Sequence, residues 1–590
     1  MTKRFSIVLA VMLLATVGAI AQQKALEPSA ERLKKDVSYL ASDALEGRRT
    51  GTKGADDAAR YIGDEFSRLG LKRSLQSFPY VASVELGNNN KFQFLRESGF
   101  RGIRNLRIGE DWMPLGFSSN AKISAALVFA GYGITASEQN YDDYAGVNVK
   151  DQVAAVLQGS PDGDNPHGQF ARYEGIRMKA IAARNAGAKA LLVVARENDF
   201  KDERLAKLTY DNSGDAGLPV IVISRSSVDS ILGTPHLQYW EEIAKEKSQA
   251  TKLLISGFVF LSTDIIRKEV PAQNVIGVLE GSDPVLKQEN IVIGAHYDHL
   301  GRGGEGSGSL SPDSNEIHHG ADDNASGTAG VLELARIFSA QQPKLKRTVI
   351  FIAFGGEEEG LLGSNYYVNH PLVPVANTVA MINMDMIGRL RDRKLAIGGV
   401  GTAPEWREVI GKENPFELSL SEDGLGPSDH SSFYLKQIPV LFFFTGPHND
   451  YHKPSDTFEK INYDDEARIL SLVARIVRDV DGAEKRLTFT ATKSEPGPRT
   501  GGFRVYLGTI PNYADSTNGL LIDGVRDDSP AAKAGLKAGD RVVKIGNQEI
   551  RNIQDYTYAL GEMKAGQEYV FEVLRGNDRL TLKVIPATRK

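Results

Sequence analysis

Five stretches of this chain deliver side chains that could hold a metal ion, each beside an apolar run. IVIGA is followed by His296, Tyr297 and Asp298, and HHGADDNASG sets Asp322 and Asp323 just ahead of a helical run. VIFIAF passes through Gly355-Gly356 into Glu357, Glu358 and Glu359. MINMDMIG holds Asp385, and VLFFF leads into TGPHNDYHKPSD with His448 and His452. Each piece has an ordinary use. His296 and Asp298 could be a satisfied core pair, Asp322-Asp323 a helix N-cap, the glutamates a solvated helix start, and His452 a loop histidine. Asp385 is harder to dismiss, because an ionised carboxylate inside an apolar strand needs a cation or several donors. In open α/β sheets ligands gather beyond the carboxyl ends of the strands, which brings all five stretches to one rim.

Imidazole and carboxylate without sulfur suit zinc, with manganese or cobalt as substitutes, and the chain has no cysteine. Two histidines, two terminal carboxylates and one carboxylate left to bridge describe a pair of ions better than one. Of Glu357 and Glu358, one then serves as ligand and the other as general base towards a water of lowered pKa. Asp298 fits as the acceptor for the second N–H of the His296 ring. No HExxH helix, GxSxG elbow or Walker-type phosphate loop is present.

The elements that must position these residues are also legible. Residues 28–73 carry two helical runs ending near Gly70. Residues 118–260 change texture, with short strand-like runs (AALVFA, QVAAVLQ, ALLVVA, PVIVIS) around one helix, and read as an inserted α/β or β-rich domain. Residues 261–483 alternate nearly all-apolar strands with helices, which implies a mostly parallel mixed sheet covered on both faces. Residues 484–502 form a polar, Pro- and Gly-containing linker, and 503–590 a last module of short strands. At the start, Lys3-Arg4, an apolar run and Ala19-Ile20-Ala21 form a secretory signal over residues 1–21, too short for a comfortable membrane span. The expected mature protein is exported, periplasmic or extracellular, with no stable membrane anchor. A net charge of -5 with no long basic run does not suggest a nucleic-acid partner, and none is expected.

GAHYDH, GADDNASGTAG, FGGEEEGLLGS, NMDMIG, SDHSSF and DYHKPSDT, in that order, resemble the family-28 zinc metallopeptidases, the aminopeptidase Y and bacterial leucyl aminopeptidase group. LASDALEGRRTGTKG and ARYIGDEFSRLGLK are similar to that family's N-terminal region, so residues 22–117 are expected to belong to the peptidase domain. The resemblance implies two zinc ions. Asp322 is the bridging ligand, His296 and Asp385 complete one site, and Glu358 and His452 the other. Glu357 is implied as general base, and Asp323 as the residue joined to the bridging aspartate by a cis peptide. Ser428, Asp429 and His430 fall in a recurrent active-site segment. AALVFAGYGI and MKAIAARNAGAKALLVV resemble a protease-associated domain. YLGTIPNY and LLIDGVRDDSPAAKAGLKAGDRVVKIGNQEI resemble a bacterial PDZ domain, with Tyr506, Leu507, Gly508 and Thr509 as its peptide loop.

The function implied is release of N-terminal residues from peptides with a free amine, alongside a peptide or protein C-terminus at the PDZ module. A carboxypeptidase or dipeptidase on the same scaffold would need arginines such as Arg389 and Arg391 to hold a carboxylate. A glutaminyl cyclase or a non-catalytic binding protein are further alternatives.

Overall fold

The structure is a computed structural model and describes residues 27–96, 102–163, 168–196, 208, 214–232, 236–245, 254–304, 307–492, 505–512, 518–526 and 528–588. The expected signal segment and linker residues 493–502 lie outside these. The chain divides into two units, Met1–Tyr80 with Val270–Glu495, and Val81–Glu269 with Pro496–Lys590. Among the described residues no helix is long and apolar enough to cross a membrane.

The first unit is built on an eight-stranded mixed sheet. Its order is Lys72–Leu86, Ile265–Leu279, Thr348–Phe354, Asn290–His296, Thr378–Met384, Val440–Phe444, Lys394–Gly398 and Glu417–Leu420. The middle four strands run parallel. Side chains alternate between the two faces, which is why the strands read as unbroken apolar runs. Ile291, Ile293, Val349 and Phe351 face one core; Val292, Ile350 and Ile352 face the other. Helices Ala30–Leu40, Lys53–Arg68, Gly327–Ala340 and Tyr463–Gly482 supply the first core, for example through Val37, Ile62, Leu334 and Val473. Helices Leu362–Asn369 and His430–Tyr434 cover the other with Tyr367 and Phe433. The two N-terminal helices are capped by Ser29 and Thr52, which accept from the N–H groups of Arg32 and Ala55.

In the second unit, the insert is an eight-stranded sheet with order Gly102–Leu106, Lys91–Arg96, Leu254–Thr263, Ala121–Phe129, Val153–Leu157, Ala190–Val194, Val220–Ile223 and Trp112–Pro114. Four of these strands are parallel, so the insert is α/β and not simply β-rich. It also begins earlier than residue 118. Lys91–Arg96 pairs with Leu254–Thr263, and Trp112–Pro114 with Val220–Ile223. These pairings join segments more than a hundred residues apart, and local periodicity carries no trace of them.

The C-terminal module is a small β-rich domain whose core includes Leu520, Ile522, Val542, Phe571 and Val584. Its helix Ile553–Glu562 rests on the insert. Asp555 pairs with Arg184 at 2.6 Å, both side chains at least nine-tenths buried. Asn552 donates to the Asp215 carbonyl at 3.2 Å, Tyr173 donates to Glu562 at 3.0 Å, and Tyr558 joins the insert's own core.

Candidate metal centre

His296 ends its strand, Asp385 directly follows Met384, and Glu357 and Glu358 follow Phe354 across a Gly-Gly turn. Because these strands are parallel, all three ends lie at one edge, and the loop after Phe444 brings His448, Tyr451 and His452 there. The His296 strand lies between one neighbour that follows it in the chain at 348 and another at 378. Chain order reverses there, and such reversals open a crevice for a ligand.

Asp323 is the centre of the cluster. Its Oδ1 is 3.4 Å from His296 Nε2, and its Oδ2 is 3.1 Å from His452 Nε2. His296 Nε2 is also 3.5 Å from Asp385 Oδ1, and His452 Nε2 is 3.2 Å from Glu358 Oε2. Ligands held about 2.1 Å from a tetrahedral zinc stand about 3.4 Å from one another. The donor set fits two ions sharing Asp323. Asp385 Oδ1 is buried and, among the described residues, receives no hydrogen bond, as expected of an oxygen reserved for a cation.

The aspartate that stands between the two histidines is thus Asp323, one residue after the Asp322 expected there. Asp322 points elsewhere: its Oδ1 accepts from the Gly388 N–H at 2.7 Å and the Ser326 hydroxyl at 3.1 Å, and its Oδ2 is 3.2 Å from His448 Nε2. The backbone turns sharply between the neighbours, with Asp323 at φ -104° and ψ 94°, so their side chains diverge. The cis peptide is Asp323–Asn324, again one position beyond the expected one. Asp456 holds this turn by accepting from the N–H groups of Asp322 and Asp323 at 3.0 and 3.1 Å.

Asp298 also departs from its expected duty. The His296 Nδ1 lies 3.2 Å from the Asp298 main-chain carbonyl but 3.7 Å from its carboxylate. That carboxylate instead accepts from the Thr50 hydroxyl at 2.8 Å and the Glu357 N–H at 3.2 Å, so it fixes the start of the glutamate turn. Ser428 and Asn383 form a short relay: Asn383 Nδ2 donates to Ser428 Oγ, which donates to Asp385 Oδ2, each at 2.8 Å. Burial lifts the Asp429 carboxyl to about 7. His430 lies flat on Phe442, with centroids 4.5 Å apart, and burial lowers it to about 3.

Two further residues line the rim: His299, which the sequence reads as a loop histidine near the rim and not a ligand, and Tyr451, which the sequence reading does not single out. The buried His299 ring sets Nδ1 2.7 Å from Glu358 Oε1. Tyr451 stacks on His452 with centroids 3.8 Å apart, and burial together with the charges of Asp323, Glu358, Asp385 and Glu357 pushes its phenol up. For Tyr451, only its closeness to His452 in sequence hints at this. The two adjacent glutamates are driven apart. Burial raises Glu357 well above the ordinary range, helped by Asp385 and Glu358 and opposed by His296. Burial and Asp323 also push Glu358 up, but hydrogen bonds from His299 and His452 outweigh them and hold it low. Neighbouring carboxyls with divergent affinities for a proton are the pattern of a base beside a ligand.

In the C-terminal module, Gly508 adopts φ +79°, and a Cβ there would stand 2.3 Å from Ser529 Cβ, so the expected loop needs this glycine. Thr509 opens the strand Thr509–Pro511 at the end of the sheet order.

Residues 274–477 match Peptidase family M28, and residues 505–585 match the PDZ domain. Aminopeptidase YwaD of Bacillus subtilis is 28% identical over 480 residues, covering 79% of this chain and 88% of its own length. A probable zinc metalloprotease of Pyrenophora tritici-repentis is 34% identical over 176 residues, 28% of this chain and 37% of its own. An aminopeptidase structure from Aneurinibacillus sp. strain AM-1 aligns with 80% of this chain and 98% of its own at 21% identity, with a TM-score of 0.46. The domain that carries the carboxylate–histidine cluster is therefore a family M28 peptidase domain, and the chain is a metal-dependent hydrolase of the peptidase class. A PDZ domain closes the described chain.

Proposed function

We propose that this protein is an exported di-zinc aminopeptidase that removes N-terminal residues from peptides. The observation that carries the reading is Asp323, whose two oxygens face His296 and His452 on opposite sides. His296 and Asp385 would hold one ion and Glu358 and His452 the other, with Asp323 shared. The names of two relatives, an aminopeptidase and a probable zinc metalloprotease, support the activity and the metal. When bound, the zinc pair supplies Lewis acidity that polarises the scissile carbonyl and acidifies a water.

The chain's own part is proton handling and placement. Glu357 Oε2, 3.8 Å from His296 Nε2, stands at the first metal position without belonging to the shared set. Raised by burial, it accepts the proton of the attacking water and returns it to the departing amine. Asp298 orients it through its own N–H, and the Asn383–Ser428 relay fixes Asp385. The carboxylate-rich rim favours a substrate ammonium. Of the arginines that a carboxypeptidase would need, Arg389 pairs with Asp450 at 3.2 Å and Arg391 donates to the Pro447 carbonyl at 2.6 Å. A glutaminyl cyclase working with one ion would leave the shared Asp323 unexplained. Export rests on Lys3-Arg4 and the apolar run after it. The PDZ domain is proposed to take a peptide or protein C-terminus as an added strand.

Residues 22–590, loaded with zinc, are incubated with peptides bearing free or acetylated N-termini, and mass spectrometry follows which end shortens. Stepwise loss from free-amine peptides alone, abolished by chelation, is expected. Glu357→Gln should lower kcat by about 10²–10⁴-fold with zinc content unchanged. C-terminal shortening that ignores acetylation would overturn the aminopeptidase reading.

A further inference from the structure

The loop Glu46–Thr50 joins the two N-terminal helices of the first unit, and Arg48 at its centre is fully buried in the left-handed region at φ +48°. Its guanidinium donates to the Tyr297 carbonyl at 2.8 Å, the His319 carbonyl at 2.7 Å, the Gly320 carbonyl at 2.9 Å and the Leu40 carbonyl. Among the described residues every hydrogen-bond acceptor of Arg48 is a main-chain carbonyl, so this buried cation has no directly paired carboxylate. Burial lowers it to about 10, opposed by the fields of Asp298, Asp323, Asp456 and Glu358, and it stays charged at neutral pH.

Three of those carbonyls, all but that of Leu40, belong to the two segments that build the metal centre. Tyr297 lies between His296 and Asp298, and His319-Gly320 run directly into Asp322-Asp323. The same loop adds further ties. The His299 N–H donates to the Arg48 carbonyl at 3.3 Å, the Gly301 N–H to the Gly47 carbonyl at 3.0 Å, and the Thr50 hydroxyl to Asp298. Gly47 sits so close that a Cβ would stand 2.4 Å from the Gly301 carbonyl oxygen.

We propose that Arg48 is a positioning residue for the metal centre: one guanidinium spans the His296 and Asp323 segments, sets their separation, and offsets the mutual repulsion of the carboxylates they carry. The inference rests on the two-ion reading above. Arginine suits the task because its planar fork reaches several carbonyls at once, whereas a lysine ammonium is a single point. Arg347 offers an internal control. It too is a buried arginine of the first unit that donates to main-chain carbonyls, those of Val480, Asp481 and Ala483, and it also pairs with Glu289.

The test measures zinc affinity by chelator competition, together with circular dichroism and thermal melting of the chelated protein. The full mature chain is compared as wild type, Arg48→Lys, Arg48→Gln and Arg347→Lys. Wild type must first bind zinc; if it does not, the two-ion reading fails and not this inference. Arg48→Lys should bind zinc about 10–100-fold more weakly, the scale of orienting groups behind metal ligands. Its lost kcat should return in excess zinc, with KM unchanged. Arg347→Lys should lower Tm with zinc affinity intact. Equal zinc affinity in wild type and Arg48→Lys would overturn the proposal, as would failure of both Arg48 variants to fold, which would make the arginine a folding determinant only.

Discussion

Asp322 and Asp323 are identical in chemistry and adjacent in sequence, yet the fold gives them separate duties. Asp323 faces both histidines, while Asp322 ties the Gly388 N–H, Ser326 and His448 together behind it. A family pattern laid over two neighbouring aspartates leaves which one bridges open to a shift of one. The backbone separates the two, because the turn at Asp323 sends the side chains apart and leaves Asp323 between the histidines. Substitution separates the two roles. Asp323→Asn should abolish binding of both zinc ions, since each loses a shared charged oxygen. Asp322→Asn should keep both ions and lose stability, because the amide leaves its hydrogen-bond set mismatched in a buried place at about 1–3 kcal/mol. Elemental analysis of the dialysed proteins beside their melting curves checks this. Two ions retained by Asp323→Asn would return the bridge to Asp322.

At the scale of elements, the four parallel strands and their helices could be read directly. Runs such as Val349–Phe354 are apolar at every position, and only a sheet covered on both faces buries both sides of such a run. The placing of ligands at strand ends followed from that. What stayed hidden depends on contacts distant in sequence. The start of the insert is set by pairing of Lys91–Arg96 with Leu254–Thr263, and the place of His299 by the approach of Glu358. Lys179 is another such case. It lies in the helix Ile176–Asn185, whose small apolar residues predict the core, but its own ammonium is fully buried and donates to the carbonyls of Tyr132 and Gly159 at 2.5 and 2.6 Å. Burial lowers it to about 7, against the pull of Asp143 and Glu174. Above that pH the folded chain has released a proton that the unfolded chain keeps to about 10.5, so stability climbs with pH across this window. In Lys179→Met the level should fall, because the carbonyls of Tyr132, Gly159 and Leu157 lose a donor, but the climb itself should vanish. Melting curves of both proteins between pH 7 and 10 read the slope, and a slope retained by the variant would refute the assignment.

At the scale of the whole molecule, the second unit joins two pieces far apart in sequence, Val81–Glu269 and Pro496–Lys590. A PDZ domain behind a polar linker suggests a free module on a tether, but its helix Ile553–Glu562 is seated on the insert. The contact is specific and not merely greasy. Asp555 is buried between Arg184 at 2.6 Å and the Arg551 N–H at 3.0 Å, Glu562 accepts from Tyr173, and Tyr558 enters the insert's core. Breaking a buried pair by removing one partner leaves the other charge uncompensated, at a cost of about 3–5 kcal/mol. In the wild type, therefore, the PDZ domain and the insert should unfold in one calorimetric transition. Asp555→Ala should split that transition, with the PDZ domain melting first and becoming sensitive to protease at temperatures where the insert still resists. The double variant Arg184→Met with Asp555→Leu, which removes both charges and keeps apolar contact, should restore a good part of the coupling. Two separate transitions in the wild type would show instead that the seat is too weak to join the domains, and a single transition that shifts as a whole in Asp555→Ala would place the pair inside one fold and not at a junction between two.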